Sequence, residues 1–283
     1  MKTMKKDYKS NIRKLLNSEF QEDLFESCLA NLNQTNNKLR YNNFAYSIRE
    51  LSRHFLKSLA PYEEVLKCNW YKNETDRKNG ITRGQRIKFA IQGGLDDHFL
   101  NKNLVRIAEL NHLKKQIKDA INLLSKYTHI QEKTFDISDE KGSELVNNVL
   151  KKFYLFAITI ENSRNMILDA LNEKIDRKII DHALLNSLDE LDELSTHTTV
   201  NSITPENYNV SMINSGSIEI SVTGSVVAEL QYGSNSDIRK DDGYTTSDSF
   251  TFYSVINSEL SDTLPNSEVE IREFRVDTDS FFE

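Results

Sequence analysis

Apolar side chains recur with a helical period through the first two hundred residues of the chain. The clearest case is residues 41–59, in which apolar positions follow one another at intervals of three or four. They are Phe44, Ile48, Leu51, Phe55 and Leu59. This spacing places all five on one face, because an α-helix turns once in ~3.6 residues. Similar patterns predict helices over residues 18–33, 98–126, 142–172 and 175–195.

Proline and glycine mark where these helical patterns end. Pro61 ends the helix over residues 41–59, because the residue before a proline avoids helical backbone angles. Two turns, at Asn79-Gly80 and Gly93-Gly94, then bracket residues 83–92. That segment is therefore predicted to be a helix end or a loop between two flexible points.

The pattern changes to strict alternation in the last third of the chain. The polar segment 197–209 contains Pro205 and is predicted to be a linker or the entry to a second domain. Residues 217–232 then alternate with period two, as in a half-buried strand. Their apolar positions predict two strands joined by a three-residue turn at Thr223-Gly224-Ser225. Two further strands are predicted over residues 249–256 and 268–276.

These elements predict an α+β protein made of two parts. A mostly α-helical domain occupies residues 1–200, and a small antiparallel β domain follows over residues 205–283. The polar segment 233–243, between the second and third predicted strands, is long for a hairpin connection. Since long loops are often functional, it is a candidate recognition element.

The distribution of charge also changes between the two predicted domains. The 283 residues carry a formal net charge of −7. From Pro205 onward there are 15 acidic residues and 4 Lys/Arg, a net of −11, whereas the preceding residues sum to +4. Phosphate contact requires cations, so the helical part is the better candidate for binding nucleic acid.

Cysteine usage and hydropathy indicate a cytoplasmic protein. Cys28 and Cys68 are too few for a disulfide framework and suit a reducing compartment. The longest apolar run, residues 153–160, is too short to span a bilayer. The basic N-terminus lacks the apolar block of a signal peptide.

An arginine followed five or six residues later by a histidine occurs three times. The pairs are Arg49/His54, Arg106/His112 and Arg177/His182. Only Arg49 is followed directly by an acidic side chain, that of Glu50. A histidine can move a proton at the ribose hydroxyl, while an arginine stabilises charge on the phosphate.

The Arg49/His54 arrangement resembles the motif of the HEPN superfamily of metal-independent ribonucleases. This resemblance implies that Arg49, Glu50 and His54 form a catalytic group. Five residues along a regular helix correspond to ~500°, so the arginine and the histidine point about 140° apart. They cannot converge on one phosphate without help, and the resemblance implies that a second copy completes the site in a homo-oligomer. The alternative is a surface arginine beside a boundary histidine.

A basic segment follows and is the candidate nucleic-acid contact. Its cations are Arg77, Arg83, Arg86 and Lys88, and Trp70, Tyr71 and Phe89 lie near them in the sequence. Cations interleaved with aromatic rings can hold a single strand by phosphate pairing and base stacking. RNA is the expected ligand, although the same residues could be core and solvated surface.

Metal-dependent chemistry has less support in the sequence. Glu219 and Glu229 fall on the two strands of the predicted hairpin and could hold Mg²⁺, but Gln231 stands where a restriction-type nuclease needs a lysine. A solvated hairpin face is the simpler interpretation. No phosphate-cradling loop or Cys/His metal signature is present, so we predict no metal ion and no cofactor.

A set of short motifs is spread from about residue 40 to residue 256. They are Arg49-Glu50-Leu51, Leu59-Ala60-Pro61, Thr82-Arg83-Gly84-Gln85-Arg86, Gly93-Gly94-Leu95, Tyr127-Thr128-His129, Leu230-Gln231-Tyr232-Gly233-Ser234-Asn235-Ser236-Asp237, Asp242-Gly243 and Ser249-Phe250. In these motifs the chain resembles the predicted nucleases that accompany prokaryotic PIWI-like proteins in bacterial anti-phage gene neighbourhoods. The resemblance implies a helical region joined to a C-terminal β unit and a role in antiviral defence.

Two functions are therefore expected. The first is a defence effector that cleaves RNA as a homodimer without a metal ion. The second is a non-catalytic sensor or adaptor that binds a defence-system protein through its β domain. Neither involves a membrane.

Overall fold

The predicted α+β class is confirmed by the computed structural model, which describes residues 2–97, 107–260 and 267–282. The chain divides into two compact units, Met1–Ser163 and Arg164–Glu283. The boundary between them falls inside a single long helix. None of the helices in the described ranges has the length and apolar character needed to cross a membrane.

The first unit is helical. Its helices are α1 (Lys2–Arg13), α2 (Glu19–Asn33), α3 (Arg40–Leu59), α4 (Tyr62–Lys67), α5 (Arg83–Gln92), α6 (Ile107–Thr128) and the first part of α7 (Asp139–Leu185). Helix α3 is central and packs against α2, α5 and α6. Its predicted apolar stripe is buried at Phe44, Ile48, Leu51 and Phe55, and the Phe55 ring meets Phe153 of α7 edge-on at 5.5 Å.

Helix α7 corrects one predicted boundary. The separate helices predicted over residues 142–172 and 175–195 are one helix of 47 residues that ends at Leu185. An unbroken stripe explains the continuity: Ile167, Leu171, Ile175, Ile179 and Ala183 are all buried at intervals of four. The helix predicted over 98–126 is observed from Ile107, and residues 98–106 lie outside the described ranges.

The second unit contains a four-stranded antiparallel sheet in the order β1-β2-β3-β4. The strands are β1 (His197–Ile213), β2 (Ser217–Tyr232), β3 (Tyr244–Glu259) and β4 (Val269–Asp277). Short helices α8 (Asp189–Asp192) and α9 (Asn235–Ile238) precede β1 and β3. A 3₁₀ turn, Asp279–Phe282, follows β4.

The C-terminal part of α7 lies against this sheet. The Tyr208 hydroxyl of β1 donates to the Asp176 carboxylate, and Lys174 Nζ donates to the Ser267 carbonyl at 3.1 Å. The ring of His182 lies 5.1 Å from that of Phe274 on β4. The apolar stripe of the helix thereby meets the buried face of the sheet.

Two predictions for the β region are wrong. The segment 197–209, predicted to be a linker, begins β1, and the predicted hairpin over 217–232 is the single strand β2. Buried positions keep the same parity along the whole of β2, so one uninterrupted strand satisfies them. Gly224 lies on the buried face of β2. A Cβ at this position would stand 2.1 Å from the Thr204 carbonyl oxygen and 2.7 Å from the Phe252 ring. The glycine permits close packing and makes no turn.

Candidate nucleic-acid interface

The outward face of α3 carries the candidate catalytic residues. Opposite the buried stripe, its side chains are exposed or half-buried; they are Tyr46, Arg49, Glu50, Arg53, His54 and Lys57. Arg49 and His54 flank this face on opposite sides, as a separation of ~140° requires. Within one copy the structure does not bring the guanidinium and the imidazole together.

Arg49 has a second arginine beside it. Arg83, the first residue of α5, has its pKa lowered by partial burial and then by the positive charge of Arg49. The start of α5 is fixed by a capping box, in which Thr82 Oγ1 accepts from the Gln85 N–H at 3.2 Å and Gln85 Oε1 accepts from the Thr82 N–H at 2.8 Å. A cation in the first turn of a helix opposes the helix dipole. An anion bound between the two arginines would relieve both repulsions.

Glu50 partly balances these charges. Its carboxylate forms an ion pair with Arg53 at 3.0 Å and lies 4.0 Å from the Arg49 guanidinium. Of the three residues predicted to be catalytic, Arg49 and Glu50 therefore belong to one arginine–carboxylate cluster. His54 lies to one side of it. Glu50 holds arginine side chains in place on the α3 surface.

His54 packs against an aromatic residue that the sequence analysis did not select. Its ring meets that of Phe20, on α2, edge-on with centroids 5.1 Å apart. Phe20 is 57% exposed, although it is an apolar residue of the helix predicted over residues 18–33. Ser18 caps α2, so Phe20 lies in the first turn, at the rim of the stripe. That position was the one available signal of its exposure.

The remaining candidate cations occupy two kinds of environment. Arg83 and Arg77 are exposed, and Arg77 lies in a compact loop where its carbonyl accepts from Asn73 Nδ2 at 2.8 Å. Arg86 donates to the Ala60 carbonyl, and burial lowers its pKa.

Lys88 is more engaged still. It is 12% exposed, pairs with Asp97 at 2.7 Å and stands 4.5 Å above the ring of Trp70. The Trp70 indole N–H in turn donates to the Gly93 carbonyl at 2.8 Å. Of the four predicted nucleic-acid contacts, Arg86 and Lys88 are thus held by partners within the first unit.

The different environments of Lys88 and Arg77 predict different effects on stability when each is replaced by alanine. Lys88→Ala is expected to lower the free energy of unfolding by about 2 kcal/mol, because it removes the ion pair with Asp97, the cation over Trp70 and the packing of a largely buried side chain. Arg77→Ala, at an exposed position, should change it by less than about 0.5 kcal/mol. Urea titration followed by circular dichroism measures both. Equal midpoints would show that the Lys88 contacts contribute nothing to stability.

The other arginine–histidine pairs lie elsewhere. Arg177 and His182 are on α7 in the second unit, where burial and the charge of Lys178 lower the pKa of His182. Arg106 lies outside the described residues. His112 is on α6 and its Nε2 is 2.5 Å from Gln116 Nε2.

The arrangement proposed for a metal-dependent site is not formed. Glu219 and Glu229 lie ten residues apart on β2 instead of on facing strands, which separates them by about 33 Å. They cannot share one ion. Within residues 2–97, 107–260 and 267–282, no group of three or more His, Cys, Asp or Glu side chains is arranged to hold a metal.

Comparison with known proteins identifies two family models along the chain. Both are described as predicted pPIWI-associating nuclease; one matches residues 13–153 and the other residues 160–282. The interval between the two matches lies just before the boundary of the structural units at Ser163. No curated protein and no solved structure matches the chain.

Proposed function

The chain belongs to the family of predicted pPIWI-associating nucleases, and from this premise we propose that it is an anti-phage ribonuclease that acts as a homodimer. In this proposal Arg49 and His54 are the catalytic residues, Glu50 positions the arginines, and no metal ion takes part. The protein would act in the cytoplasm beside a pPIWI protein.

The observation that carries the proposal is that Arg49 and Arg83 lie on the packed helices α3 and α5, close enough for the charge of Arg49 to lower the pKa of Arg83. The two guanidinium groups repel each other, and among the described residues Arg49 has a carboxylate at 4.0 Å whereas Arg83 forms no ion pair. A phosphodiester is a suitable bridging ligand, since each guanidinium presents paired N–H donors to phosphate oxygens. The positive end of α5 adds to the attraction.

The reaction follows from the two kinds of side chain. The imidazole of His54 takes the proton of the ribose 2′-hydroxyl, and the 2′-oxygen attacks the phosphorus. The bond from phosphorus to the 5′-oxygen breaks, and that oxygen leaves with a proton from a protonated imidazole or water. Arg49 and Arg83 stabilise the charge that grows on the phosphoryl oxygens. Because the nucleophile is the 2′-oxygen, the substrate is RNA.

The opposed directions of Arg49 and His54 are the reason for proposing a homodimer. A phosphate held by Arg49 and Arg83 of one copy would receive its imidazole from the α3 face of the second copy. Exposed Arg77 would extend the grip on the strand, while Arg86 and Lys88 would keep α5 in place and add positive potential.

The substrate assay tests this function directly. Purified protein is expected to cleave labelled single-stranded RNA equally well in EDTA and in Mg²⁺, and to leave the matching DNA intact, because DNA lacks the 2′-hydroxyl. An RNA with a single 2′-deoxy substitution at the cleaved position serves as the matched control and should resist cleavage there. Cleavage of DNA at a similar rate, or a strict requirement for Mg²⁺, would refute the proposal.

The acidic β unit supports a second candidate function. The residues from Pro205 onward carry a net charge of −11, which repels nucleic acid and suits a protein partner. In that case the chain is a sensor or adaptor of a defence complex that binds its partner through the β unit. A protein that lacks nuclease activity on every substrate but binds a pPIWI protein would favour this function.

A further inference from the structure

The sheet has an open edge along the first part of β3. Strand β3 pairs with β2 over its whole length, from Tyr244 to Glu259. On its other side β4 pairs only with residues 251–258. In the part of the chain that the structure describes, nothing pairs with this side of residues 244–249, and all six are exposed.

The backbone groups that face the open side can be identified. The Glu259 N–H donates to the Glu268 carbonyl, on the β4 side, whereas the Leu260 N–H donates to the Gly216 carbonyl, on the β2 side. The register with β2 is continuous, so odd-numbered residues of β3 point their N–H and C=O groups toward β4 throughout. Thr245 and Ser247 therefore present their backbone donors and acceptors to the open side. Ser249 presents its carbonyl there, while its N–H donates to the Asp248 carboxylate at 2.7 Å.

The two outer strands are protected in ways that this edge is not. Strand β1 contains Pro205 and three register shifts, each of which interrupts a pairing surface. Strand β4 has nine residues and a row of charges on them, with Arg272–Glu270 and Arg275–Glu273 ion pairs. Residues 244–249, Tyr-Thr-Thr-Ser-Asp-Ser, contain no proline and favour extended backbone.

The charges around the edge select its partner. Asp248 is the one charged residue of the segment, and the chain that continues from β4 places Asp277 and Asp279 beyond its Ser249 end. A second copy would bring another region of net charge −11, from Pro205 onward, against this edge, and this like charge disfavours self-pairing. A strand that carries lysine or arginine would pair with these carboxylates, since opposite charges across a sheet stabilise it.

We propose that residues 244–249 of β3 are a docking site for an extended, basic segment of a partner protein, which adds a fifth strand to the sheet. The backbone N–H and C=O groups of Thr245 and Ser247, with the Ser249 carbonyl, supply the affinity, and Asp248 with its acidic neighbours supplies the preference for cations. This inference does not depend on the chain being a nuclease.

Proline at position 247 tests the site with little disturbance of the fold. The Ser247 N–H faces the open side, so Ser247→Pro removes a donor that β2 does not use, and proline is tolerated at such edge positions. The probe is a fluorescent peptide of alternating valine and threonine with lysine at both ends and at its centre. Ser247→Pro should weaken its binding about tenfold in fluorescence polarisation, while Ser247→Thr keeps the N–H and stays within about twofold.

Two further measurements keep the inference open to refutation. A peptide with glutamate in place of lysine should bind at least about tenfold more weakly. In the unmodified protein, the amides of Thr245 and Ser247 should exchange with deuterium more slowly when the lysine peptide is added, a readout that needs no variant. Unchanged exchange at these amides, or equal binding of the two peptides, would overturn the proposal. A dimer that Ser247→Pro dissociates would assign the edge to a second copy and would also overturn it.

Discussion

His54→Ala is expected to reduce RNA cleavage by about a hundredfold or more while the protein stays folded. The alanine removes the group that accepts the 2′-hydroxyl proton, and general-base catalysis typically contributes a factor of that size. His54→Phe is the structural control, because it keeps a ring against Phe20 but cannot carry a proton. Both variants should lose cleavage, whereas Arg53→Ala, on the same exposed face, should retain most of it. Initial rates on labelled RNA measure all three.

A mixing experiment separates the homodimer from a site within one copy. Arg49→Ala should be as inactive as His54→Ala. If each site takes its arginine from one copy and its histidine from the other, an equal mixture should regain about a quarter of the unmodified activity, since half of the dimers are mixed and each has one intact site. A mixture that stays inactive, although the two variants exchange subunits, would rule out the shared site. Cleavage that persists in both single variants would refute the assignment of these residues.

The second large effect concerns stability. Gly224→Ala is expected to lower the free energy of unfolding by about 3 kcal/mol or more, because the new methyl group would stand 2.1 Å from the Thr204 carbonyl oxygen. The backbone of β1 and the Phe252 ring of β3 both have to move. Urea titration followed by circular dichroism gives the change.

Gly216→Ala provides the matched control. Among the described residues, apart from the two chain neighbours of Gly216, no heavy atom lies within 4 Å of a Cβ built there, so the same substitution should change stability by less than about 1 kcal/mol. Similar losses for the two alanines would mean that the sheet does not close tightly around Gly224. Such a result would also be evidence against β2 being one uninterrupted strand at this position.

Residues 41–59 show what the sequence could establish. The apolar stripe, together with Pro61, predicted the bounds of α3 to within one residue, and the opposite directions of Arg49 and His54 followed from the helical repeat alone. Local spacing was sufficient here because one helix carries all of these side chains. Arg83 and Phe20 belong to other helices. Their positions near Arg49 and His54 depend on tertiary packing, which the spacing of residues along the sequence does not reveal.

The β region shows why the rest could not be predicted. A glycine between two alternating runs is typical of a hairpin turn, and it is also typical of a position where another backbone approaches closely. Only the Thr204 carbonyl and the Phe252 ring, which come from different strands, decide between the two. Likewise, Pro205 indicated a linker, but β1 is an outer strand with a register shift beside this residue, where a proline is tolerated.

The continuity of α7 has a practical consequence for dissecting the protein. The residues from 164 to 185 cover the sheet, although in the sequence they are the end of a helix that begins in the other unit. A fragment that starts at the first strand would therefore expose the side chains of Ile220, Val222 and Phe252 to water and would be expected to aggregate. A soluble C-terminal fragment should begin near residue 160, twenty-five residues before the helix ends.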